Sequence, residues 1–302
     1  MKITITGISG FVGQNLSAYL SRKNFTIKGL SLRGKNWKKK FDQEVDAIIH
    51  LAGKAHDTAN TSVDEVYFQV NRDLTIELFE KFLASDIRDF FYFSSVKAVA
   101  DTVNTVLSEE VDAKPLTPYG KSKLEAEKYI LSKTLPEGKR VFIIRPCMIH
   151  GPGNKGNLNL LYRIVEKGLP WPLASFNNQR SFLSIDNLSY MTVAMLQEAN
   201  LPSGVYNFAD DESISTNELV TLIGTTLGKK VNLWNLPVRL IRGLVKIGDI
   251  LPFPLNSERL KKLTESYVVS NTKIKKALRI TKLPLSSKQG LAITIKSFNQ
   301  LN

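Results

Sequence analysis

Tyr119 and Lys123 stand four residues apart in the stretch Pro118-Tyr119-Gly120-Lys121-Ser122-Lys123-Leu124-Glu125-Ala126-Glu127. That stretch opens a helical period, and residues four apart on a helix share a face. A free phenol with a pKa of about 10 is a poor acid–base group at neutral pH. A lysine ammonium and a nicotinamide cation beside it would both favour the phenolate. Ser95 follows the compact strand pattern Asp89–Ser94 and offers a hydroxyl to a substrate carbonyl or alcohol. Three such groups suit proton transfer at an oxygen while a hydride passes between its carbon and a nicotinamide. Taken without their surroundings, they also suit a plain surface helix carrying an i, i+4 Tyr/Lys pair.

The elements that must position these groups begin at the N-terminus. Lys2 to Thr6 alternates and is β-branched, as a strand should be. Gly7, Gly10 and Gly13 then fall three apart, and Phe11, Val12, Leu16 and Leu20 start a helical period. A glycine at 7 permits a sharp strand-to-helix turn, one at 10 lets a pyrophosphate approach the backbone, and one at 13 brings the helix close to the sheet. The helix start offers free N–H groups and a positive dipole end to phosphates. The expected cofactor-binding residues of this turn are Gly7, Ser9, Gly10, Phe11, Val12 and Gly13.

A second strand is predicted over Phe25–Leu32, whose end is where an adenosine ribose lies in such folds. An acid there would bond the 2′-hydroxyl and repel a 2′-phosphate. This chain has Ser31, with Arg33 and Lys35 behind it, which favours NADP(H) over NAD(H), with NAD(H) as the alternative. The short polar stretch before the next strand, Asp46–Leu51, leaves no room for a full strand–helix unit. Leu51, Ala52 and Gly53 are small or apolar residues where backbone passes a cofactor; Lys54 and His56 follow at the ligand edge. Helical periodicity runs over Val63–Leu83, interrupted by Asn71. The long loop from Asp101 to Pro118 has the length of a functional one.

In the second half, Arg140–Arg145 reads as a buried strand closed by Pro146, another expected cofactor neighbour. Cys147 beside it reads as a packed, inert thiol. A loop over Asn154–Asn159 leads to a helix at Leu160–Glu166. A short strand within Asn177–Ile185 is expected to end at Asp186 as the cap of the following helix. Gly204–Phe208 is expected to return to the main sheet, and Ser215 with Glu218 forms a capping box for a helix to Leu227. Val238–Leu251 is amphipathic and basic, with packing inside the second domain as its first reading and weak peripheral membrane association as its second.

Composition bounds the class. The 302 residues carry 41 Lys+Arg against 28 Asp+Glu, a net charge of +13. The basic clusters at 38–40, 229–230 and 275–276 lack interleaved aromatics or a recognition helix, so no nucleic acid is expected. The field suits phosphorylated small ligands or an anionic membrane surface. One cysteine excludes an internal disulfide and suits a reducing cytoplasm. His50, His56 and His150 lack metal-ligand spacing, so no metal is expected. No apolar run reaches membrane-spanning length, and a first strand starting at Lys2 leaves no room for a signal peptide.

Thr-Gly-Ile-Ser-Gly-Phe-Val-Gly at 6–13, His-Leu-Ala-Gly at 50–53, Ser-Ser at 94–95 and Tyr-Gly-Lys-Ser-Lys at 119–123 resemble, in order and spacing, the extended short-chain dehydrogenase/reductase family of epimerase/dehydratase type. The resemblance spans nearly all of residues 1–280 and departs at segment 34–45 and at Ser31. It implies an α/β fold, a doubly wound parallel sheet with a smaller C-terminal α/β substrate domain. The implied division is 1–150, with 183–210 returning, for the dinucleotide and 151–182 with 211–302 for a nucleotide sugar. It also implies the catalytic triad Ser95, Tyr119 and Lys123, with Lys123 holding the nicotinamide ribose too. Substrate contacts are implied for Ser95, Lys97, Asn157, Arg180 and Arg259, with Arg180 clamping a diphosphate. The second half resembles a bacterial surface-polysaccharide branch, which implies a UDP-sugar oxidised or reduced at C4. A 4-keto-6-deoxy-N-acetylhexosamine 4-reductase is the first expectation and a 4-epimerase the second. A homodimer is compatible with this, and a non-catalytic dinucleotide sensor or a scaffold at membrane-bound glycosylation machinery is the alternative of another class.

Overall fold

The computed structural model describes residues 1–54, 63–154, 157–249 and 256–298. In chain order the strands and α-helices are β1 (Lys2–Thr6), α1 (Phe11–Arg22), β2 (Thr26–Leu30), β3 (Ala47–His50), α2 (Asp64–Phe68), α3 (Leu74–Leu83), β4 (Asp89–Phe93) and α4 (Pro118–Leu131). There follow β5 (Arg140–Pro146), β6 (Met148–His150), α5 (Asn157–Glu166), β7 (Arg180–Ser184), α6 (Ile185–Gln197), β8 (Gly204–Phe208) and β9 (Ser213–Ile214). The chain continues through α7 (Thr216–Leu227), α8 (Val238–Gly248), α9 (Ser257–Thr264), α10 (Thr272–Ala277) and α11 (Ser287–Phe298).

Six strands form a parallel sheet in the order β2-β1-β3-β4-β5-β8. Apart from the edge strand β2, their apolar runs are largely buried, as parallel strands must be when helices cover each side. Alternation sorts the side chains. Phe91 and Phe93 join Ile3, Ile5, Leu16 and Leu188 on one face, while Phe90 and Tyr92 join Leu78, Phe79, Phe82 and Ile130 on the other. The return of Gly204–Phe208 to this sheet is observed, with Ile144 level with Tyr206.

The chain leaves β1 towards β2 on one side and then crosses to β3 on the other. The order therefore reverses between β1 and β3, and ligands of such sheets bind at the carboxyl ends of the strands flanking that reversal. The abbreviated segment after β2 holds only a 3₁₀ turn over residues 35–40. Its Trp37 is buried against Leu30, Leu32 and Ile48, so this stretch closes the sheet edge in place of a strand–helix unit.

Two sequence expectations are corrected. The helix over 63–83 is not uniform: α2 and α3 are joined by a π-turn at Gln69–Asp73. The wider turn holds Asn71 inward at full burial, where a regular helix would have continued the apolar face. The cap of α6 is Ser184, whose hydroxyl accepts the Asn187 N–H at 3.1 Å. Asp186 lies inside the first turn, where its charge meets the helix dipole. The capping box of Ser215 and Glu218 forms as expected.

A second sheet has the order β6-β7-β9, with β6 parallel and β9 antiparallel to β7. Its core joins Phe182 and Ile214 to α5, α7, α8 and α11 through residues such as Leu161, Val220, Ile241 and Leu291. Beside it α6 packs on α1, so the two sheets share a flank.

Candidate active site

The turn after β1 is built around backbone that tolerates no side chain. Gly7 has φ +69°, and a Cβ there would lie 2.7 Å from the Ala52 nitrogen. A Cβ on Gly13 would lie 2.3 Å from the Gly7 carbonyl oxygen. Gly10 differs, since its Cβ would meet only the Gly7 oxygen, at 3.3 Å. Gly7 and Gly13 thus serve the turn itself, while Gly10 keeps the ligand side bare. The start of α1 carries no side-chain cap and no acid in its first turn. Its first amide groups are consequently available to an anion. These features fit the pyrophosphate of a dinucleotide.

A cleft of about 1110 Å³ opens at that turn, lined by the ends of β1, β2 and β3 and by the π-turn helix. Gly7, Ser9, Gly10, Arg33, Leu51, Ala52 and Gly53 line it, and Trp37 and Lys38 from the 3₁₀ turn join them. Ser31 bends back to accept the Arg33 amide at 3.4 Å, leaving the exposed Arg33 side chain at the rim. Lys38 pairs with Glu77 at 2.8 Å across the same rim. Phe11 is half-buried in the sheet core and Val12 beside it; Pro146 is buried, level with Phe208.

His50 is buried between Thr6 at 2.7 Å and Thr75 at 2.8 Å, and burial drives its pKa down to about 3. It is a neutral strut between β1, β3 and α3. The Thr6 hydroxyl also accepts the Ala52 amide at 3.1 Å, which holds the loop after β3 against the glycine turn. His56 lies outside the described residues.

Tyr119 and Lys123 extend from one face of α4. The Ser95 hydroxyl hydrogen-bonds Tyr119, and Tyr67 meets the Tyr119 ring edge-on with centroids 6.3 Å apart. Lys123 is buried and donates to the Phe93 carbonyl at 2.9 Å. Burial lowers its pKa to about 8, although Glu127 one turn on pulls the other way. Burial raises the Tyr119 phenol above its ordinary value, and the Ser95 bond offsets part of that rise. Burial, with Tyr67 beside it, therefore favours the protonated phenol over the phenolate.

The sequence shows Asn71 only as a polar interruption, with no site role attached. Its side chain accepts the Lys54 amide at 2.8 Å and donates to the Lys54 carbonyl and the Ser122 hydroxyl, both at 3.1 Å. A side chain at Gly53 would meet Asn71 at 3.0 Å and Lys123 at 3.2 Å. Gly53 is small because these two polar groups fill its space. The signal was present: a polar residue breaking an apolar helical period. Behind Lys123, buried Glu127 receives the Ser94 hydroxyl and pairs with Arg145 at 2.5 Å, tying α4 to the ends of β4 and β5.

On the other side of Ser95 lies a cationic group. Lys97 donates to the Asp101 carbonyl at 2.7 Å and sits 4.4 Å from the centre of the Tyr267 ring. Burial depresses Lys97, Asp101 opposes this, and the nearby Arg180 and Lys261 depress it further. Arg180, at the start of β7, donates to the Lys262 carbonyl, and burial lowers it as well. Tyr267 fastens this group to the first sheet by donating to the Ala100 carbonyl at 2.7 Å. Arg259 is exposed on α9, and Lys261 of the same helix acts on Lys97. Asn157 opens α5, and its side chain lies outside what is described. Cys147 is buried and its thiol is pushed up, an inert packing group as expected.

Residues 3–209 match the NAD dependent epimerase/dehydratase family. The chain belongs to that family. Within it, a UDP-glucose 4-epimerase of Vibrio cholerae is 31% identical over 258 residues, covering 78% of each chain. An N-acetyl-α-D-glucosaminyl-diphospho-ditrans,octacis-undecaprenol 4-epimerase of Escherichia coli O157:H7 is 25% identical over 317 residues, 97% of this chain and 94% of the relative. The structure of RMD from Pseudomonas aeruginosa complexed with NADPH superposes with TM-score 0.73 and 21% identity over 99% of both chains. A family member of this kind uses a nicotinamide dinucleotide, and the glycine turn and cleft are the part of this chain that fits one. Among the described residues no helix is long and apolar enough to cross a membrane.

Proposed function

We propose that the chain transfers a hydride at C4 of a UDP-linked hexose or N-acetylhexosamine. One observation carries this reading: Gly53 of the glycine-turn cleft lies against Lys123, Ser95 bonds Tyr119, and Lys97 two residues beyond Ser95 lies near Arg180. The dinucleotide would lie on Gly7, Ser9 and Gly10, with Phe11, Val12, Gly13, Leu51, Ala52, Gly53 and Pro146 shaping its seat. When bound, it supplies or accepts the hydride. Ser95 orients the C4 oxygen, Tyr119 gives or takes its proton, and Lys123 stands by at the nicotinamide side. Lys97 and Arg180 face the sugar diphosphate, for which a guanidinium fork is well shaped. Asn157 and Arg259 are assigned to the same substrate. The division into a dinucleotide part (1–150 with 183–210) and a substrate part (151–182 with 211–302) belongs to this proposal.

Ser31, Arg33 and Lys38 at the rim, with no acid at the strand end, favour NADPH. A cofactor exchanging with a cytoplasmic pool suits a 4-reductase acting on a UDP-4-keto-6-deoxy-N-acetylhexosamine. The second reading is a 4-epimerase, favoured by the names of the Vibrio and Escherichia relatives. The substrates those two relatives are named for share a sugar beside a diphosphate, the feature Lys97 and Arg180 would read. The deciding assay supplies each sugar with and without NADPH. Stoichiometric NADPH loss with the keto sugar supports the reductase. Interconversion of C4 epimers without added cofactor, on UDP-sugars or on the lipid-linked sugar, replaces it with the epimerase. Turnover of none of them refutes the C4 reading.

A further inference from the structure

Five of the fifteen large apolar side chains exposed among the described residues fall between positions 233 and 247. Leu240, Leu244 and Ile247 are 53%, 45% and 53% exposed along one flank of α8, at i, i+4 and i+7. The inward face is a separate set, Ile241, Val245 and Gly248, so core packing does not account for the outer stripe. Arg239, Arg242 and Lys246 line the opposite flank at i, i+3 and i+7, and none of them has an ion-pair partner among the described residues. Gly243, between the flanks, faces open space. Leu233 and Trp234, in the segment entering α8, are exposed too. Asp249, at the end of α8, is bound to the Ser257 amide and hydroxyl, and Glu258 of the adjoining α9 pairs with Lys262.

We infer that α8, with Leu233 and Trp234, is a docking surface for an anionic phospholipid bilayer. A helix whose apolar arc exceeds what its own protein covers, flanked by cations, lies in the plane of a membrane interface. The leucines enter the acyl boundary, the arginines and lysine reach headgroup phosphates, and Trp234 sits at the interface. Charge decides against a second copy as the occupant. A two-fold contact through this face would bring two unpaired cationic flanks together, on a chain already at +13. The chemistry at Tyr119 has no part in this surface.

The experiment is co-sedimentation of the full chain with phosphatidylglycerol-containing vesicles and with phosphatidylcholine vesicles, alongside tryptophan fluorescence. Trp37 and Trp171 are buried, at 3% and 2% exposure, so a blue shift reports Trp234 entering lipid. Binding to the anionic vesicles, the blue shift, and release by about 0.5 M salt are expected. Arg239→Gln with Arg242→Gln should weaken binding about 25-fold, at about fivefold per cation. Leu240→Glu with Leu244→Glu should abolish it, leaving the thermal midpoint unchanged because both sites are exposed. Should that pair fail to fold, the arginine pair and the Trp234 shift still decide. Equal binding to both vesicle types, undiminished binding by a folded variant pair, or absence of the shift overturns the inference. So does self-association that Leu240→Glu with Leu244→Glu removes, without vesicle binding.

Discussion

At the scale of single residues, the proposed acid–base group is a phenol whose burial favours its protonated form. Tyr119 is desolvated and bonded to Ser95, and Lys123 is depressed to about 8 by burial. Tyr119→Phe should therefore cut turnover by about two to four orders of magnitude, the range of acid–base groups. Dinucleotide affinity should persist, because the ring and its contact with Tyr67 remain. Turnover of the variant within threefold of the parent, measured at saturating substrate, would remove Tyr119 from proton transfer.

Elements carry a different kind of consequence. Gly10→Ala and Gly13→Ala should separate two roles in one turn. An added methyl at 13 meets backbone at 2.3 Å and should cost about 1–3 kcal/mol of stability. At 10 the nearest atom is 3.3 Å away, so stability should hold while dinucleotide affinity falls. Urea unfolding and cofactor titration of both variants test this, and equal stability loss in the two would refute it. His50 adds a pH dependence to the junction of β1, β3 and α3. Its folded pKa of about 3 lies below the unfolded value of about 6.5, so between these the unfolded chain binds the extra proton. Stability accordingly falls as pH drops through that window. Between pH 7 and pH 5 the parent should lose about 2 kcal/mol more than His50→Gln. Parallel urea midpoints for the two proteins would show that His50 is not held neutral.

On the scale of the whole molecule, the second sheet delivers Arg180 to the end of the first. β7 hydrogen-bonds to the segment at Tyr267, and Tyr267 bonds the Val96 and Ala100 carbonyls after β4. A UDP-sugar diphosphate read by Arg180 and Lys97 would thus be fixed relative to Tyr119 by both sheets at once. Arg180→Ala should weaken UDP affinity by about 2–5 kcal/mol, as for a desolvated charged contact, with dinucleotide affinity unchanged. Calorimetry giving equal UDP affinity in variant and parent would move the substrate elsewhere.

The glycine triplet, the apolar strand runs and the Tyr119/Lys123 spacing were legible in the sequence because each is a local pattern: a turn, a period of two, a helical face. They sufficed for the parallel sheet, its family and the cluster of candidate groups. Local patterns say nothing about what fills the space beside them. Asn71 read only as a break in a helix until the π-turn carried it onto Lys54 and Ser122. Trp37 stood unnoticed in a short polar stretch until the shortened crossover buried it beside the cleft. Tyr267 left no trace, because its partners lie about 170 residues away. The state of the phenol was likewise beyond sequence, since an i, i+4 lysine predicts attraction and only three-dimensional burial sets the opposing desolvation. Spacing along the chain determined which groups could meet. Packing across it decided what each one meets, and so its charge.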